Sequence, residues 1–141
     1  MKIIIIVLGI YFWFVSNDCT AQSKCPETNL YKTLFVGEKK DSMLFKLPLQ
    51  FIITSDSIMA RAGDKTKNNF LAFRILGKEC FWNEDFTKGK TVYKTMLYNS
   101  ILEGNKYPTI TVDFTDQENR YIEVFYENGM TRIFSIEKGN Q

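Results

Sequence analysis

The chain has no histidine among its 141 residues, and this absence bounds its chemistry. A serine or cysteine nucleophile activated by histidine is excluded within the chain. The commonest zinc and iron ligand is missing as well. Neither Gly-x-Gly-x-x-Gly nor Gly-x-x-x-x-Gly-Lys occurs, so no phosphate-cradling glycine loop is written in the sequence. Carboxylates are what remain. Glu79, Glu84 and Asp85 gather around the Phe81-Trp82 pair, and two carboxylates beside an aromatic platform are the inventory of a glycan-cleaving enzyme. Against this, Glu84 and Asp85 are adjacent and would face opposite ways in a strand, and a solvated turn explains them equally.

Two further chemistries are open to these residues. Asn83, Glu84 and Asp85, or Asp113 with Asp116 and Glu118, offer oxygen ligands, but neither set shows alternate ligand positions around a central glycine. No metal and no cofactor is therefore expected. The aromatics are the other resource. Trp82, with Phe81 and Phe86, flanks one polar loop and is a candidate for stacking on a ligand. Packing is the alternative, because aromatic residues favour strands in any case.

The chain opens Met1-Lys2 and then runs uncharged from Ile3 to Val15. This run suits a signal peptide and falls short of the ~20 residues that cross a bilayer. Cys19-Thr20-Ala21 fits the small-x-small cleavage rule. The expected division is a leader over 1–21 and one exported domain over 22–141, periplasmic or secreted, with a polar N-terminal arm over about 22–41. Lipid attachment at Cys19 is disfavoured by Asp18 immediately before it. After cleavage no stable membrane span is expected. The net charge of +2 and the scattering of the basic residues argue against a nucleic-acid binder. Cys25 and Cys80 remain in the exported part. In an oxidising compartment they read as a disulfide, with two unpaired thiols as the alternative.

The elements that would carry these groups are strands. Leu30 to Val36 is apolar enough for a short helix or a first strand, and the pattern fits both. From Met43 onward the reading is β. Leu44 to Leu47 and Leu49 to Thr54 are rich in aromatic and branched residues, with Pro48 marking a bend or an edge. Ile58 to Ala62 returns. Phe70 to Phe81 puts Leu71, Phe73 and Ile75 on one face and Arg74 on the other, with a bulge at Gly77. Thr91 to Tyr98 follows. Thr109 to Thr115 alternates with Ile110, Val112 and Phe114 inward. Tyr121 to Tyr126 and Met130 to Ile136 flank a hairpin signal at Asn128-Gly129. No helical pattern separates these strands, so an all-β antiparallel meander is expected, closing as an up-and-down barrel or a strongly curved sheet.

The segment Met130-Thr131-Arg132-Ile133-Phe134 resembles the last strand of the fatty-acid-binding proteins. The resemblance implies Arg132 as the ligand of a carboxylate, with Phe134 standing where that family has a tyrosine. It covers about five residues. The chain is also similar in overall design to the lipocalins, although their Gly-x-Trp signature is absent here: Gly37 is followed by Glu38-Lys39. Both are likenesses of architecture, and architecture does not fix function. The expectation is a non-catalytic binding module for a small apolar or amphipathic ligand or a protein partner, with Trp82 and Arg132 as candidate ligand contacts. The alternative is a carboxylate-based glycan-active enzyme.

Overall fold

The computed structural model describes residues 24–27, 29–38, 44–62, 70–98 and 106–137. The expected leader over 1–21, with Cys19 in it, and the loop expected over 63–69 lie outside the described residues. Eight strands form one closed antiparallel barrel in sequence order: β1 (Asn29–Glu38), β2 (Leu44–Ile53), β3 (Ser57–Ala62), β4 (Phe70–Trp82), β5 (Gly89–Leu97), β6 (Thr109–Asp113), β7 (Tyr121–Phe125) and β8 (Thr131–Ile136). Pairing of β1 with β8 closes the ring. The expected all-β meander is thus a complete up-and-down barrel of lipocalin-like architecture.

The undecided Leu30 to Val36 run is strand β1. It runs through much of the span read as an arm and belongs to the barrel wall. The two segments on either side of Pro48 are one strand, β2. Its ladder with β1 slips there: Thr33 pairs with Leu49, yet Phe35 pairs with Lys46. Proline has no amide hydrogen to give the ladder, so an irregularity at this point costs little. The bulge expected at Gly77 is present, with the β4–β5 register shifting between Ile75 and Gly77.

Alternation sorts the side chains. Phe51, Ile58, Phe73, Ile110 and Ile122 point inward and are at most 1% exposed. With Tyr93, Val112, Val124 and Phe134 they fill the waist of the barrel, and the Phe51 and Phe134 rings meet edge to face at 5.1 Å. Each such side chain contributes ~1.5–3 kcal/mol by leaving water. Polar groups in the interior are few and mostly bonded. Thr33 donates to the Leu49 carbonyl at 3.4 Å and Thr95 to the Pro108 carbonyl at 2.6 Å. Burial pushes the Tyr31 and Tyr93 phenols above their ordinary range, and Tyr93 adds to the effect on Tyr31.

Outward positions carry Lys32, Arg61, Arg74, Lys94 and Glu123 in mid-strand. An apolar inside and a charged outside reverse the pattern of a membrane-spanning barrel. Strands β6 and β7 have 5 residues each, against the ~9–11 such a span needs. Among the described residues no helix is long and apolar enough to cross a membrane.

Candidate functional site

The two ends of the barrel differ. One end carries the arm residues 24–27, the β2–β3 turn, the β4–β5 loop and the β6–β7 loop. Here tilted rings pack against one another as a plug. Phe114 lies 5.6 Å from Tyr31 and 5.5 Å from Trp82, and Trp82 lies 6.4 Å from Phe86. The Arg120 guanidinium sits over the Phe114 ring at 5.0 Å, a cation–π contact. The Trp82 indole N–H donates to the Thr91 hydroxyl at 2.7 Å. Cys25 and Cys80 form a disulfide, Cα to Cα 5.5 Å, which fastens the arm to β4. We call this the closed end.

The carboxylates of the glycan-enzyme reading lie on or beside this end, and two of the three have local partners. Asp85 accepts from the Thr87 hydroxyl at 2.7 Å and the Thr87 amide at 3.2 Å. These bonds hold its carboxyl below the ordinary range. Asn83 shapes the same loop by accepting from the Lys88 amide and donating to the Thr87 hydroxyl, both at 3.0 Å. Glu84 is exposed. Glu79 faces outward from β4 and pairs with Lys94 at 3.7 Å, both side chains well exposed. The second oxygen-rich set is similarly engaged. Asp113 accepts from the Thr115 amide at 2.8 Å, the Thr115 hydroxyl at 2.5 Å and the Tyr121 hydroxyl at 3.2 Å. Asp116 accepts from the Glu118 amide and the Asn119 side chain. Among the described residues no three acidic or cysteine side chains gather as a metal site.

Among the described residues the opposite end is open. Leu71 pairs with Ala60 and Phe45 with Val36, and paired residues share a face of the sheet. Ala60 and Val36 belong to or pack on the core, so Leu71 and Phe45 occupy inward positions. Yet Leu71 is 48% and Phe45 62% exposed. Water therefore reaches the inside of the wall at this end. The side chains of β3 explain the room: its inward series runs Ile58, Ala60, Ala62, from a large core residue through a small buried one to a second small one at the mouth. Phe51, Phe73 and Phe134 form the floor.

A polar rim completes the mouth. Arg132 pairs with Val124 on one side and Glu38 on the other. Val124 is a core residue, so Arg132 stands on an inward position, one pair above the floor and exposed to water. Tyr126 follows Val124 on the same face. Burial raises its phenol above the ordinary range, and Arg132 lies near enough to oppose that rise.

The structure thus separates the two candidate ligand contacts. Trp82 belongs to the plug of the closed end, and Arg132 to the rim of the open end. Sequence reasoning places Leu71 inward but does not single out Phe45 or Ala62 as mouth residues. The only signal was the run of small residues on β3, which gains meaning once its neighbours are known. Comparison with known proteins gave no match: no family model, no curated protein and no solved structure matches this chain.

Proposed function

We propose that this chain is an exported, non-catalytic binding module that takes a small apolar or amphipathic ligand into the open end of its barrel. The observation that carries the reading is the exposure of Leu71 and Phe45 at inward positions. Apolar side chains directed into a barrel yet open to water gain by being covered, at roughly 25 cal/mol for each Å2 of surface removed from water. The filled waist limits the ligand to the mouth, so a short chain or a single ring system fits better than a long enclosed one. Arg132 on the rim supplies a charge for an acidic head group, and the Tyr126 hydroxyl is close by. Export to the periplasm or the medium is supported by the leader-like sequence of 1–21 and by the disulfide, which persists in oxidising compartments.

The glycan-enzyme alternative has less support. Asp85 is occupied by Thr87, and Glu79 is turned outward toward Lys94. A general acid and a nucleophile need to face one cleft.

A fluorescent fatty-acid probe tests the proposal. The wild-type chain should bind it saturably. Leu71→Asp, which puts a charge among the mouth residues, should weaken binding at least ~10-fold. Arg132→Ala should remove binding of the acid while leaving the corresponding alcohol bound. Absence of saturable binding to the wild type, or undiminished binding by both variants, contradicts the reading.

A further inference from the structure

The outer wall of β1, β2, β3 and the first half of β4 carries one kind of charge. Its charged outward side chains over the described residues are Lys32, Lys46, Arg61 and Arg74, all basic and all exposed. Between two of these rows runs an apolar one. Leu30 pairs with Ile52, Ile52 with Met59 and Met59 with Ala72, a single rung crossing four strands. On one side of it Lys32, Gln50 and Arg61 form the next rung. On the other side Arg74 pairs with Ser57. Leu30 is 57% exposed. Nearer the mouth Phe35 is half-exposed beside Lys46. Two acids border this wall: Glu137, whose amide donates to the Lys32 carbonyl at 2.7 Å at the β8 edge, and Asp56, in the turn at its closed-end border. The Asp56 carboxyl is held below the ordinary range first by the Thr54 hydroxyl, then by Ser57, with Arg74 a smaller contributor. The other side of the barrel mixes signs, with Glu79 and Glu123 among Lys90 and Lys94.

We infer that this wall rests on an anionic lipid surface. Charge complementarity requires an acidic occupant, which excludes a second copy of the same wall. The apolar rung between cationic rows excludes a plain phosphate track. The outside of a closed barrel is convex, so a protein partner would have to supply a matching hollow. A bilayer surface needs only to yield. Leucine and phenylalanine enter the boundary between head groups and acyl chains, and lysine and arginine lie along the apolar surface with their charges at the phosphates. Such contact leaves the barrel whole and does not involve crossing the membrane. It is independent of the ligand proposed for the mouth.

Co-sedimentation of the mature chain tests the inference. The vesicles are phosphatidylcholine alone and phosphatidylcholine mixed with phosphatidylglycerol. Binding is expected to the mixed vesicles only, and should fall as salt is raised. The double variant Lys32→Gln, Lys46→Gln should bind roughly 25-fold more weakly, about fivefold for each charge removed. A control pair on the opposite wall, Lys90→Gln with Lys94→Gln, changes net charge equally and should lose far less. Leu30→Ser should weaken binding at low salt without altering the salt dependence. No binding to the mixed vesicles, equal binding to both kinds, or equal loss in the two lysine pairs overturns the inference.

Discussion

Reducing the disulfide between Cys25 and Cys80 should cost this barrel a large share of its stability. The two cysteines are 55 residues apart, and the segment they close contains β1, β2, β3 and most of β4. With the bond intact, the unfolded chain is a closed loop of that length and has lost the corresponding freedom. Loop-closure entropy sets the effect at about 4 kcal/mol. Domains of this kind are stable by only ~5–15 kcal/mol in total. The unfolding entropy of a domain of this size is about 0.25 kcal/mol per degree, so the melting midpoint should drop by roughly 15 °C. The assay is thermal unfolding followed by far-ultraviolet circular dichroism on one preparation, oxidised and then reduced and alkylated, with Cys25→Ala as an independent open form. Cys25 is the better choice for substitution, because Cys80 is buried and its replacement adds a packing loss. Intact mass should differ by two hydrogens between the oxidised and reduced forms. A midpoint that moves by no more than a few degrees, with the mass difference confirmed, would refute the reasoning.

Other outcomes follow from the packing. Trp82→Phe keeps most of the ring but removes the indole N–H that Thr91 accepts, and should cost ~1–2 kcal/mol in urea unfolding. Phe51→Ala empties a site that is 1% exposed and touches Phe134, and should cost ~3–5 kcal/mol by the same measurement. Gly89 has a φ of +153°, and a Cβ there would collide with the Phe81 carbonyl oxygen and lie 2.6 Å from the Trp82 Cα. Gly89→Ala should therefore destabilise by ~2 kcal/mol or more, because backbone on both sides must shift. Tyr31, Tyr93 and Tyr126 have phenols raised by burial. The unfolded chain releases these protons first, so their contribution is complete below pH ~10 and is lost as pH rises beyond it. Melting midpoints taken from pH ~8 to ~11 should fall at the alkaline end, less steeply in Tyr31→Phe.

Much of the barrel was legible because strand alternation is a local property. Ile110 and Val112 could be set inward from five residues of pattern, and so could Leu71, Phe73 and Ile75. The bulge at Gly77 showed as a break in that pattern. Leu30 to Val36 could not be settled, because a short apolar run satisfies two geometries and only its pairing with β2 and β8 selects the strand. Pro48 marks a bend or an edge in the sequence, and the ladder passes it by slipping one residue. The disulfide was readable as chemistry but not as geometry, since nothing local brings residues 25 and 80 together.

The site was less legible than the fold. Whether an inward side chain is covered depends on all eight strands and on which end the loops plug. Leu71 and Phe73 are two residues apart on one face, yet one is open to water and the other is the floor of the mouth. Trp82 looked available because it borders a polar loop. Its partners Thr91 and Phe114 lie on β5 and just after β6, beyond the reach of local pattern. Arg132 came from a resemblance of a few residues, and its place on the rim follows from its register opposite Val124.

The most direct test of the central claim is a titration of the methyl-labelled protein with decanoate, followed by nuclear magnetic resonance. Saturable shifts should concentrate at Leu49, Ala62, Leu71 and Leu97 around the open end, with Ile53 and the β4–β5 loop at the closed end unmoved. Shifts centred on the closed end, or no saturable shift in any methyl, would contradict the account.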